Sequence, residues 1–143
     1  LLLKNWFWVL LGNLLGSVTY AYLYCIVATK MGTVDPETLP ALQRTMMIAE
    51  TKTLEYAKLG WDGMVTAFTS AILCNWMVTL GAVMAFTSTA TIGKIAAMWL
   101  PIMTFFGLGY EHAIVNMFVI PAGILLGVLL LPGWIGGYGT VFR

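Results

Sequence analysis

Long apolar stretches alternate with one polar stretch along this chain. Residues 1–29, 60–86 and 95–131 are almost free of charged side chains, whereas residues 30–59 carry most of them. Since a helix needs roughly 20 apolar residues to cross a bilayer, each apolar stretch predicts a membrane span. The polar stretch predicts an extramembrane region with short helices at the membrane surface. The whole chain is therefore expected to form a single transmembrane domain.

The third apolar stretch is interrupted by glycine near its centre. It is too long for one helix across a hydrocarbon core of ~30 Å. Gly107 and Gly109 lie in its middle, with Pro101 and Pro121 on either side. The economical solution is two half-helices joined by an unwound stretch near residues 107–110. Non-helical backbone at that depth must be buried or line a cavity, and interrupted helices mark the binding site in many transporters.

An ionisable pair lies in this interrupted region. Glu111 and His112 are adjacent, and Asn116 follows four residues after the histidine. A lone histidine in the core of a soluble protein is usually a packing residue with its hydrogen bonds satisfied. An ionisable residue at membrane depth is more often functional. The residues therefore favour a functional His112. Asn116 would share its face if that half is helical, and Glu111 is expected to cap or pair with nearby backbone.

The composition is that of an integral membrane protein. The chain is 60% hydrophobic and 9% charged, against about 25% charged residues in a typical soluble domain. A net charge of +1 gives no reason to expect a nucleic-acid partner. The chain opens inside an apolar stretch without Met, so we expect it to be a fragment of a longer protein.

Residues that commonly bind metals are sparse in the sequence. His112 is the only histidine and the carboxylates are not clustered, which argues against a metal centre. No motif for a cofactor is present. Cys25 and Cys74 lack the spacing of a metal site or a redox pair, and both are expected to be reduced packing residues in apolar spans.

Several strings resemble the formate/nitrite transporter family. The most specific is Gly-Tyr-Glu-His-Ala-Ile-Val-Asn-Met-Phe-Val-Ile-Pro at 109–121, and Cys-Asn-Trp-Met-Val at 74–78 resembles the second family signature. Lys-Ile-Ala-Ala-Met-Trp-Leu-Pro-Ile at 94–102 is similar to the stretch that leads into the family's broken helix. Lys-Asn-Trp at 4–6 and Gly-Asn at 12–13 resemble its third helix. The resemblance covers nearly the whole chain, in order.

The resemblance implies an all-α membrane protein with an aquaporin-like helical bundle and a broken pore helix. The family has six membrane segments in two inverted halves and forms homopentamers with one pore per subunit. By this resemblance the present chain holds the third segment, the fourth and the broken fifth. Its expected location is the plasma membrane, the inner membrane of a bacterium, which it would cross several times.

The resemblance also implies roles for individual residues. The polar lining of the pore would consist of His112 at the centre with Glu111, Asn116 and Asn75. Phe105 would form part of the inner hydrophobic constriction and Val78 part of the outer one. Lys58 would be the basic residue of the outer vestibule.

A histidine between hydrophobic constrictions suggests a chemical hypothesis. Moving an anion into a low-dielectric region costs several kcal/mol even after relaxation. Imidazole titrates closest to neutrality among the common side chains, so His112 could lend a proton, or a strong hydrogen bond, to the anion. The expected partners are a small monovalent anion such as formate or nitrite, a proton and the lipid bilayer.

Of three alternatives to a formate or nitrite transporter, one stays open, and the residues disfavour the other two. The anion could instead be hydrosulfide, or could resemble acetate or lactate. A membrane scaffold without transport activity does not account for a Glu-His pair inside a broken helix. An enzyme is disfavoured because the chain lacks paired carboxylates, metal-ligand spacing and a nucleophile–base set.

Overall fold

The structure is entirely helical across the residues it describes. A computed structural model of the protein describes residues 1–129. Its helices, in chain order, are α1 (Leu2–Ala28), a 3₁₀ turn (Pro36–Thr38), α2 (Pro40–Glu50), a π turn (Thr51–Glu55), α3 (Tyr56–Lys58), α4 (Trp61–Thr87), α5 (Thr91–Gly107) and α6 (Ala113–Leu129). The all-α prediction is confirmed for this range. The glycine-rich sequence after Pro132 predicts a loop. That stretch and the last residues of the third predicted span lie outside the described range.

Two helices have the length and composition of a membrane crossing. α1 and α4 each contain 27 residues and are strongly apolar. At 1.5 Å per residue such a helix is about 40 Å long, which exceeds the ~30 Å of a hydrocarbon core. α5 and α6 are also apolar but contain 17 residues each. Each of them alone is shorter than a typical crossing.

The described helices form two compact units. One unit contains residues Leu1–Lys58 together with α6 from Ile114, and the other contains Leu59–Ala113. The buried core of the first unit joins three helices through Ala21, Cys25, Leu42, Ala122 and Leu126. Cys25 and Cys74 are both buried, as expected of packing residues.

The polar stretch of the sequence is largely helical and packs on this core. The Asp35 side chain accepts a hydrogen bond from the backbone N–H of Glu37 at 2.9 Å and so caps the 3₁₀ turn. Leu42 of α2 is fully buried. Gly123 of α6 lies so close to α2 that an added Cβ would overlap the Cβ of Ala49. A glycine therefore allows the two helices to approach closely.

The second unit is a hairpin of α4 and α5, joined by the short turn 88–90. Three small residues on one face of α4 are buried: Gly63, Cys74 and Gly81. Of these, Gly81 faces α5. An added Cβ at Gly81 would lie 3.4 Å from atoms of both Met98 and Pro101. The predicted spans left residues 87–94 between these helices. The turn is shorter, because α4 extends to Thr87 and α5 already begins at Thr91.

α5 ends in a glycine-dependent cap. Gly109 has a φ of +71°, a left-handed conformation that favours glycine. The N–H of Gly109 donates to the carbonyl of Phe106 at 3.1 Å, and the N–H of Tyr110 donates to the carbonyl of Phe105 at 3.0 Å. This pair of bonds is the Schellman motif, which satisfies carbonyls at the end of a helix.

The non-helical segment between α5 and α6 is residues 108–112. The sequence had placed the unwound stretch near 107–110. The difference arises because Gly107 is still helical, while Gly109 takes the left-handed position after the helix. The non-helical segment thus begins one residue later and ends two residues later than predicted, and it includes Glu111 and His112.

We predict that Gly109→Ala destabilises the protein and that Gly107→Ala does not. The left-handed conformation costs a residue with a Cβ about 1–2 kcal/mol, whereas Ala at a helical glycine gains up to about 1 kcal/mol. Thermal unfolding in detergent micelles measures both variants. An unfolding temperature for Gly109→Ala equal to or above that of Gly107→Ala would contradict the cap.

A second matched pair tests the close approach of α2 and α6. Gly123→Ala should lower the free energy of unfolding by about 1–3 kcal/mol because of overpacking. The higher helix propensity of alanine offsets part of this loss. Gly12→Ala is the control, since an added Cβ there meets no atom within 4 Å. Chemical unfolding in mixed micelles compares the two. Equal stability of both variants would show that α2 does not contact α6 at Gly123.

Candidate functional site

Two elements position the segment that carries Glu111 and His112. The Schellman motif fixes its beginning, as described above. The backbone N–H of Glu111 then donates to Ser70 Oγ on α4 at 3.0 Å. With the bond from Leu108 N–H to the Thr104 carbonyl at 3.0 Å, each N–H from residue 108 to residue 111 has an acceptor. The break is therefore a defined, hydrogen-bonded segment.

The His112 ring lies on the ring of Phe105. Their centroids are 5.4 Å apart and the planes differ by 13°, which is a stacked arrangement. Phe106 stacks on the same Phe105 ring with a centroid distance of 4.8 Å and an angle of 25°. Phe105 is only 3% exposed. One aromatic ring thus orients the imidazole from the end of α5.

Phe105 contributes to the site with both its backbone and its side chain. Its carbonyl accepts the Tyr110 N–H within the cap, and its ring packs against His112. The two contacts tie the end of α5 to the segment that follows it. A change in the cap would therefore also change the orientation of the imidazole.

Glu111 is buried, whereas His112 is partly accessible. The glutamate is 8% exposed, and its backbone is held by Ser70. His112 is half-buried and is the last residue before α6. His112 directly precedes α6, whose first turn carries Asn116. The face shared by these two side chains stays a prediction.

The remaining predicted residues lie elsewhere. Asn75 and Val78 are on α4, where the asparagine is exposed and the valine is half-buried. Asn116 is half-buried in the first turns of α6, and Lys58 is an exposed residue at the end of α3. The unit that contains Phe105, Glu111 and His112 also contains Asn75 and Val78. Asn116 and Lys58 belong to the other unit.

The sequence interpretation missed Ser70. A usable signal was present, because Ser70 lies on the same face of α4 as the buried small residues Gly63, Cys74 and Gly81. Such a series of small residues indicates a face that packs closely on another helix. A hydroxyl on that face can reach a neighbouring backbone. The sequence does not identify the N–H group from which it accepts a hydrogen bond.

The arrangement has limited chemical options. Within residues 1–129, His, Cys, Asp and Glu side chains do not assemble in groups of three that could hold a metal ion. The imidazole can donate or accept a proton, and the stacked phenylalanines restrict access to it on one side.

The chain is similar in sequence to known proteins over most of its length. The sequence model of the family described as formate/nitrite transporter matches residues 1–141. A probable formate transporter of Methanothermobacter thermautotrophicus is 41% identical over 133 residues, covering 88% of this chain and 47% of that protein. The formate channel BtFdhC of Bacillus thuringiensis is 33% identical over 127 residues, covering 89% and 44%. The formate channel FocA of Escherichia coli K12 is 32% identical over 125 residues, covering 87% and 40%.

These comparisons cover most of the chain but only part of each relative. The chain spans about half the length of the curated relatives it matches. No solved structure matches the chain. Since the family match extends over nearly every residue, the chain belongs to the formate/nitrite transporter family, a family of integral membrane transporters rather than enzymes.

Proposed function

We propose that the intact protein is a channel or transporter for small monovalent anions such as formate or nitrite, with His112 at the centre of its pore. The observation that carries the proposal is the position of His112 on a hydrogen-bonded helix break. Membership of a formate/nitrite transporter family supports the same substrates. The relatives named as formate channels favour formate as the first anion to test.

The proposed mechanism begins with the cost of moving an anion out of water. That cost is several kcal/mol for an ion in a low-dielectric region, so a hydrophobic constriction stops the charged form. His112, protonated from the aqueous side, attracts the anion and donates a proton or a strong hydrogen bond to it. When the proton is transferred, the neutral acid passes the constriction and releases that proton to the water on the other side. The imidazole takes up a new proton from the side on which the anion entered.

Two hydrophobic residues form the proposed constrictions. Phe105 narrows the pore on the inner side and Val78 on the outer side. The contact between the rings of Phe105 and His112 supports this assignment, because the barrier to the charged anion would lie directly beside the proton donor. An anion that is not protonated at His112 would then be excluded at the adjacent ring.

The other polar residues have supporting roles in this proposal. Asn75 and Asn116 contact the anion or orient it, and Lys58 attracts anions to the outer vestibule. Glu111 is not a substrate contact, since its backbone is held by Ser70 and its side chain is buried. It supports the segment that carries His112.

The proposed architecture extends beyond the described helices. We propose spans at about 1–29, 60–86 and 95–131 in one transmembrane domain, with 30–59 outside the membrane. The whole protein would adopt an aquaporin-like bundle and form a homopentamer in the plasma membrane. Segments corresponding to the other half of the relatives' length would complete the pore.

We predict that formate flux depends on pH through His112. The imidazole changes charge near pH 6.5 in water, so flux into proteoliposomes should rise as the pH falls from neutral. His112→Phe should reduce this flux about tenfold to hundredfold, since a hydrogen bond to a charged group contributes about 1.5–3 kcal/mol. His112→Gln should keep part of the flux but lose its pH dependence, because its amide forms hydrogen bonds without titrating.

Stopped-flow measurements on proteoliposomes provide the test. Protein-free liposomes at each pH give the passive leak of the neutral acid, which is subtracted. A parallel panel of nitrite, hydrosulfide, acetate and lactate determines which anion class passes. The proposal is wrong if His112→Phe conducts like the wild type at every pH, and absent flux of every anion through the wild type favours a scaffold.

A further inference from the structure

Ser70 provides a contact to the helix break from outside α5. The N–H groups of residues 108, 109 and 110 all donate to carbonyls within α5. The next one along the chain, the N–H of Glu111, donates instead to the Ser70 hydroxyl on α4 at 3.0 Å. The bond joins two residues that are 41 positions apart in the sequence. It therefore links the packing of the α4–α5 hairpin to the break.

The position of this bond matters because of the residue that follows. Glu111 directly precedes His112. A bond to the Glu111 amide therefore restrains the backbone next to the residue that carries the imidazole. The Phe105 ring contacts His112 from the end of α5. Ser70 and Phe105 thus constrain the segment from two helices, one through the backbone and the other through the ring.

We propose that Ser70 is a positioning residue for the pore histidine. Its hydroxyl oxygen holds the Glu111 amide, which keeps the segment 108–112 in place and the imidazole against Phe105. Ser70 acts through the backbone and does not touch the anion. This inference rests on the proposed transport function and adds a residue that sets the geometry of the same site.

The chemistry of the acceptor explains why the residue type matters. A buried amide that loses its acceptor is left unsatisfied in apolar surroundings, which is unfavourable. Alanine at position 70 removes the acceptor, and cysteine retains a similar volume but has only a weakly accepting sulfur. Threonine keeps the hydroxyl. Thr66 is a matched control one turn away, since its hydroxyl donates to the Asp62 carbonyl of its own helix at 2.7 Å.

The first measurement is hydrogen–deuterium exchange at the Glu111 amide in the intact protein in lipid nanodiscs. Ser70→Ala and Ser70→Cys should speed exchange about tenfold or more, as for the loss of a buried acceptor. Ser70→Thr and Thr66→Ala should exchange like the wild type. Where Ser70→Ala does not give folded protein, Ser70→Cys supplies the same comparison with less change in volume. Unchanged exchange in the cysteine variant would overturn the proposal.

The second measurement is formate flux per inserted protein molecule. Ser70→Ala and Ser70→Cys should lower the flux about tenfold, because a displaced imidazole no longer meets the anion in the correct geometry. Ser70→Thr should restore the flux. A purely structural role would lower the amount of inserted protein but leave the flux per molecule equal to that of Thr66→Ala, which would also overturn the proposal.

The two measurements separate this inference from the proposed function. If the wild type carries no formate, the transport proposal fails and with it the positioning role, even where exchange shows that Ser70 holds the break. If the wild type carries formate and exchange or flux in Ser70→Cys matches the wild type, only the role of Ser70 fails.

Discussion

The structure depends on satisfying the backbone groups at the end of α5, within an apolar sequence. Backbone in apolar surroundings has no water to bond with, so its polar groups need partners in the protein. Here each N–H group from residue 108 to residue 111 donates a hydrogen bond. The first three donate to carbonyls of α5, and the fourth donates to a side chain of α4. The break can therefore be a fixed part of the fold, and His112 follows directly after it.

The same constraint explains why small residues are placed where they are. Gly109 takes the left-handed position that closes the cap. Gly81 lets α4 approach Pro101 of α5, which brings the Ser70 hydroxyl within reach of the Glu111 amide. In the other unit, Gly123 allows α2 to contact α6. The helices approach closely through glycine, and the polar groups then meet at hydrogen-bonding distance.

The sequence predicted the elements better than it predicted the site. The apolar stretches and the paired glycines were sufficient to anticipate long helices and a break, because length and glycine conformation are local properties. The exact position of the break depended on which glycine takes the left-handed conformation, and Gly109 rather than Gly107 does so. Ser70 could not be paired with Glu111 from the sequence, because that contact depends on how α4 packs against α5.

The central claim is that His112, held at the break, bonds directly to the transported anion. Solid-state NMR of ring-¹⁵N-labelled histidine in lipid bilayers tests it most directly, with His112→Gln used to assign the signal. Adding formate should shift the His112 ring nitrogens towards the values of a protonated, hydrogen-bonded imidazole, whereas adding sulfate at equal ionic strength should not. A His112 signal that stays unchanged at saturating formate would contradict the account.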